Sequence, residues 1–174
     1  MELYDNYYGN LRAYKAYHQD LCKTIQKQMD RWDKKNRNSD KLEWDLVRYI
    51  RLLPDLYQVA FELLQDETLP FHKKGALYVG LMYVISPVDM ISDHITVFGW
   101  VDDLIVMALA LRTYISQEDP SIRECIKSNW QHTKDLKAIL HTIISIFDDV
   151  AETFPPSMVN IIRDMFCTKV PSAL

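Results

Sequence analysis

From Leu3 to Trp32 the apolar residues return at steps of three and four: Tyr4, Tyr7, Leu11, Tyr14, Leu21, Ile25 and Trp32. That spacing predicts one stripe of a long helix. The stripe is rich in tyrosine where a core would favour leucine. It is therefore either packing surface whose hydroxyls reach water, or a face for a protein partner. The polar run "KKNRNSDK" breaks the pattern. Asp40, three residues before Glu43, has the spacing of a capping box and opens a helix carrying Leu42, Leu46, Ile50 and Leu53. Pro54 cannot sit in a helix interior without losing a hydrogen bond and clashing one turn back. "LLPDLYQVAFELLQD" is therefore a kink or a fresh start with Pro54 in the first turn, ending near Gln65.

After the loop "DETLPFHKK", an apolar helix is expected over Lys74 to Ile85. A short helical turn from Ser86 to Asp93 follows it, then another apolar helix from Trp100 to about Ser116. Asp119-Pro120 begins a further helix ending near Trp130. "TKDLKAILHTIISIFDDVAETF" is amphipathic and stops at Pro155-Pro156, and a last helix runs from Ser157 to about Cys167. There is no repeat and no low-complexity stretch. The fold class expected is all-α, a single bundle of about six to eight helices around a central apolar helical hairpin. One domain is expected over 1–174: an N-terminal helix and connector over 1–45, a core over 46–116, and C-terminal helices over 117–174.

Composition narrows the function classes. Of 174 residues, 48% are hydrophobic, enough for one substantial core, and the net charge is −4. Residues 1–50 carry ten Lys and Arg against eight Asp and Glu, a sum of +2, which leaves −6 for the rest. Acidic residues are interspersed even in the basic stretch Arg31 to Lys41, so no nucleic-acid partner is expected. Cys22, Cys125 and Cys167 form no C-x-x-C pair and fit buried thiols in a reducing cytoplasm. "MELYDNYYGN" lacks a basic start followed by an apolar core, so no secretory signal is expected. The charge-free run Gly75 to Val88 is shorter than the roughly 20 apolar residues a spanning helix needs. Together with Leu104 to Leu111 it would at most form a hairpin dipping into a membrane surface, which would make the protein peripheral.

The chemistry concentrates in "YVISPVDMISDHITVFGWVDDLIVMALAL", Tyr83 to Leu111. Asp89, Asp93, Asp102 and Asp103 lie there, and no Lys or Arg occurs between Gly75 and Leu111. Capping accounts for part of the set. Ser86, Pro87 and Asp89 match an N-cap, a proline at N1 and an acidic N3. Gly99 would cap the helix that follows, placing Asp102 and Asp103 in a first turn that favours each anion by about 0.3–1 kcal/mol. Asp93 is different: it falls at a helix C-terminus, four residues from a like charge, a spacing that costs about 0.2–0.5 kcal/mol. An Asx-turn at the surface would accommodate it; buried, it needs a cation. Arg51, Lys74 and Arg112 are candidate ion-pair partners, with Arg48 and Lys73 behind them. The other candidate is a divalent metal, Mg²⁺, Ca²⁺ or Mn²⁺, held by Asp89, Asp93, Asp102 and Asp103. His94 would add nitrogen for a transition metal. Neither an EF-hand loop nor H-E-x-x-H is present. The scattered histidines, His18, His72, His132 and His141, suggest no catalytic base, and no phosphate loop is present. Trp100 and Trp130 are expected in the core, and Asp148-Asp149 on a solvated face.

These residues resemble the YkvA-like family, a bacterial domain of unknown function also found attached to some membrane-bound ubiquitin ligases. The resemblance covers Arg51 to about Thr113. It is carried by "LLPDL", "LPFHKKGALYVGLMYVISPVDMISD" and "VFGWVDDLIVMALALR". Ser86, Pro87, Asp89, Ile91, Asp93, Gly99, Asp102 and Asp103 match the family pattern, while Ser92 and Thr96 stand where it has prolines. The resemblance implies a helical hairpin with a shared acidic turn and supplies no established activity. The expected function is therefore non-catalytic binding, with the acidic turn holding a divalent cation or a basic partner group. The alternatives are a metal-dependent hydrolase using Asp89, Asp93 and Asp102 or Asp103, and a membrane-surface protein.

Overall fold

A computed structural model describes residues 2–35, 43–68, 74–85, 100–115 and 120–166, with side chains described over 13–34, 45–68, 74–85, 100–115 and 120–166. The described residues are helical and contain no strand, so the chain is all-α. The first helix, α1 (Glu2–Lys35), turns the predicted stripe into a packing edge. Leu21, Ile25, Met29 and Trp32 are buried, and Tyr14, Tyr17 and His18 are half-buried beside them. Tyr4, Tyr7 and Leu11 share the helix, but their side chains lie outside the described part.

The stretch before and after Pro54 resolves as a fresh start. α2 (Glu43–Tyr49) passes through a 3₁₀ turn (Ile50–Leu52) into α3 (Leu53–Gln65), which has Pro54 in its first turn. Proline there lacks only an amide that a helix start leaves unpaired anyway. Asp40 and Leu42 lie outside the described residues. α3 buries Leu53, Leu56, Tyr57, Ala60, Phe61 and Leu63. The apolar pair follows as α4 (Gly75–Ile85) and α5 (Val101–Ile115).

Of these two, α5 takes the centre. All its residues from Val101 to Leu111 are buried, and it packs against α2, α3, α4 and α7. α4 flanks it, burying Leu77, Gly80, Leu81 and Val84. At Gly80 the two helices come so close that an added Cβ would stand 2.7 Å from the Cβ of Ala110.

The C-terminal helices close the other sides. α6 (Pro120–Asn129) lies on α3. α7 (Leu136–Val150) begins at Asp135, whose carboxylate accepts a hydrogen bond from the Ala138 amide at 3.1 Å. Leu136, Ile139, Leu140, Ile143, Ile144 and Phe147 of α7 face the core, leaving Asp148 and Asp149 exposed as expected. Between α6 and α7, Trp130 is buried and its indole N–H donates to the Lys134 carbonyl at 2.9 Å. α8 (Pro156–Met165) adds Met158, Val159 and Ile162 to the core. No described helix is long and apolar enough to cross a membrane.

Candidate functional site

The first turn of α5 carries Asp102 and Asp103, as the sequence predicts. Their environment is not that of a surface cap. Asp102 is 1% exposed and Asp103 3%, and with Lys74 they are the only buried polar or charged side chains among the described residues. Helix-terminal amides favour a carboxylate at this position. A second stabilising contact comes from α4, where the Tyr83 hydroxyl donates to Oδ2 of Asp102 at 2.8 Å. A hydrogen bond to a charged acceptor contributes about 1.5–3 kcal/mol, more than a neutral pair. Desolvating a carboxylate costs several kcal/mol even after relaxation. Burying two adjacent carboxyl side chains in one turn therefore carries a cost that a surface cap does not.

Contacts from α1 pin the two helix ends that frame this site. Tyr17 Oη donates to the Val84 carbonyl at 2.6 Å, one residue from the end of α4. The Trp100 indole N–H donates to Oε1 of Gln28 at 2.7 Å, just ahead of α5. Trp100 is accordingly half-buried at this edge rather than in the core, where Trp130 sits. Asp89, Asp93, Ser86, Pro87 and Gly99, and with them His94, lie outside the described residues.

Of the candidate cations, Arg48, Arg51 and Lys74 have partners elsewhere, Arg48 on Asp45, while Lys73 lies outside the described residues. Arg51 pairs with Asp33 of α1 at 2.5 Å and with Asp30 at 3.6 Å. Lys74 is buried ahead of α4, and its ammonium donates to the carbonyls of Leu64, at 2.8 Å, and Asp66. It thereby satisfies carbonyls that the end of α3 leaves without helical partners. Burial lowers its pKa, and the nearby charges of Asp66 and Glu67 oppose that shift. Arg112 is exposed in the last turn of α5, about 15 Å along the axis from Asp102.

Thiol chemistry finds no support at the described cysteines. Cys22 Sγ lies 3.7 Å from Nε2 of His18, but burial first, and Asp55 second, raise the thiol's pKa. The same His18 nitrogen is 3.1 Å from the Pro54 carbonyl, and its ring stacks on Tyr57. Burial likewise raises Cys125. A nucleophilic cysteine needs the opposite shift. Cys125 helps line an open groove of about 520 Å³ between α3 and α6, together with Glu62, Asp66, Glu124 and Ser128. No residue of α4 or α5 lines this groove.

Sequence reasoning missed two features of the site. Tyr83 was one tyrosine in an apolar helix, and only its place three residues before Ser86 hinted at a role. The burial of Asp102 and Asp103 was signalled only by the apolar run that they open, because a first-turn acid is written identically at the surface and in the core. Among the described residues, no group of three or more His, Cys, Asp or Glu side chains could hold a metal ion.

Comparison with known proteins adds one likeness. The sequence profile of a family described as "Protein of unknown function (DUF1232)" matches residues 73–109. The matched segment holds α4, Tyr83 and both buried aspartates, about a fifth of the chain. It resembles an uncharacterised domain family. No curated protein and no solved structure matches the chain.

Proposed function

We propose that this is a YkvA-like helical binding protein, not a catalyst, and that the acidic end of its α4/α5 hairpin holds a divalent cation. The observation that carries the reading is the burial of Asp102 and Asp103 side by side at the head of α5, inside the family-matched segment. The Tyr83 hydroxyl holds and orients one oxygen of Asp102. Two adjacent carboxyl side chains sequestered from water bring oxygen donors together in one helical turn, and a small hard cation is the ligand that such donors take. The donors are carboxylate oxygens, which suits Mg²⁺, Ca²⁺ or Mn²⁺ better than a soft metal. Two residues do not complete a coordination shell. Asp89 and Asp93 are the side chains that the motif offers for the rest.

Calorimetric titration of the chelator-stripped protein with Mg²⁺, Ca²⁺ and Mn²⁺ tests this. Saturable binding with a raised melting temperature is expected for one of them, and both effects should vanish in Asp103→Asn. Absence of heat and of any melting shift with all three ions would refute the reading. Competition by an arginine-rich peptide for the same residues, without metal binding, would reassign the site to a basic partner group.

A further inference from the structure

We infer that the outer face of α4 seats the protein on an uncharged lipid surface. α4 reads GALYVGLMYVI, with no charged residue and no long polar one. A helix apolar on every side belongs in an interior, either of a protein or of a membrane. Yet α4 is covered on one side only. Leu77, Gly80, Leu81 and Val84 face the bundle, while Gly75, Tyr78, Val79 and Met82 face out. Those four follow the spacing i, i+3, i+4, i+7, which defines one continuous stripe along a helix. Tyr78 is 53% exposed, Val79 39% and Met82 43%; Ile161 on α8 is the other large exposed apolar side chain among the described residues. Tyr14 of α1 borders the stripe, with its hydroxyl 3.8 Å from Sδ of Met82.

Area and charge decide the occupant. The exposed parts of Tyr78, Val79 and Met82 come to roughly 250–300 Å² on ordinary side-chain areas. A stable dimer buries about 800 Å² per partner, so a second copy would gain too little here. A lipid surface requires no matching shape and rewards even a few bulky apolar groups, with tyrosine favoured at the headgroup level. Interfacial helices that seek anionic lipid carry Lys or Arg beside the apolar face. α4 carries neither, and the chain's net charge is −4. A zwitterionic headgroup layer is therefore the surface that fits. The α4 stripe and the buried aspartates are distinct features, and lipid seating does not depend on a bound cation.

The test is flotation of the full chain with phosphatidylcholine vesicles in the presence of a chelator, at low and high salt. Wild-type protein should float with the vesicles, and added salt should not release it. The variant Tyr78→Ser/Val79→Ser/Met82→Ser should lose about tenfold or more of its bound fraction. Ile161→Ser should float like wild type. An environment-sensitive dye on Val79→Cys, in an otherwise unaltered stripe, should shift to the blue on adding vesicles, which keeps the test decisive should the triple variant misfold. Wild type remaining at the bottom, flotation only with anionic lipid, undiminished flotation of a folded triple variant, or no dye shift would each overturn the inference. So would a wild-type dimer in sedimentation velocity that the triple variant dissociates, since a second copy would then be the occupant.

Discussion

A methyl group added at Gly80 would stand 2.7 Å from the Cβ of Ala110, where carbon atoms prefer about 3.5–4.0 Å. Neither atom can swing away, because each Cβ is fixed to its own backbone. The helices must therefore separate by most of an ångström, or one must rotate. Gly80→Ala also brings a gain, since alanine is favoured over glycine in a helix interior by about 1 kcal/mol. Overpacking a tight core contact costs about 1–3 kcal/mol. With a clash this rigid the upper half of that range applies, so the net effect should be a loss of about 1–2 kcal/mol. Urea unfolding followed by circular dichroism measures it, and the midpoint should fall at unchanged slope. Ala110→Gly on its own should also destabilise, through helix propensity and a small void. Combined with Gly80→Ala it restores the missing space, so the double variant should be more stable than the sum of the singles by about 1–2 kcal/mol. A Gly80→Ala protein as stable as wild type, or more stable, with no coupling to position 110, would show that α4 and α5 do not cross at this point.

Three further outcomes follow from individual contacts. Tyr83→Phe removes the donor to Asp102 and should cost about 1.5–3 kcal/mol of unfolding free energy; a loss below about 0.5 kcal/mol would mean that the contact is not formed in solution. Asp135→Ala removes the side chain that caps α7 and should cost about 0.5–2 kcal/mol by the same measurement. Lys74 has a folded-state pKa lowered by burial from its ordinary 10.5. The unfolded chain therefore holds that proton to higher pH than the folded one, so this residue makes stability rise with pH between its lowered pKa and 10.5. Lys74→Met should lack that increment in a pH series of unfolding midpoints, and an identical pH slope in the two proteins would refute the assignment.

How much of this was legible in the sequence depends on whether polar residues marked the outside of each helix. In α7 the apolar positions alternate with Lys137, Thr142, Ser145 and Asp148, so the buried face could be read directly. In α1 the positions Leu21, Ile25 and Trp32 were correctly placed, since Gln, Lys and Asp occupy the other faces. In α4 that contrast is missing. With every position apolar or glycine, periodicity predicts a helix but cannot say which side is covered, so the outward stripe of Tyr78, Val79 and Met82 emerged only from the packing. Long-range ion pairs were illegible for another reason. Arg51 and Asp33 are 18 positions apart on different helices, and only the packing of α1 against the turn ahead of α3 brings them together. Lys74 reads in the sequence as a candidate ion-pair partner for the acidic turn, whereas its ammonium is sequestered on the backbone carbonyls at the end of α3.

The placement of the acidic residues follows from how the hairpin is held at the end where α4 gives way to α5. Tyr17 fixes the end of α4 through the Val84 carbonyl, Gln28 fixes the start of α5 through Trp100, and Tyr83 joins the two helices at Asp102. Gly80 then sets their separation one turn deeper. Both outer anchors come from α1, from Tyr17 and Gln28, which lie about 16 Å apart along that helix. A long helix is stiff over that distance, so it acts as a strut that fixes the mouth between the two helix ends. A preset mouth matters for binding, because ordering that is completed on folding need not be supplied when a ligand arrives. If a cation binds at Asp102 and Asp103, loosening the strut should weaken it without touching any carboxylate. Tyr17→Phe should therefore lower cation affinity while Asp102 and Asp103 remain buried. Unchanged affinity in that variant would mean that α1 stabilises the bundle but does not shape its acidic end.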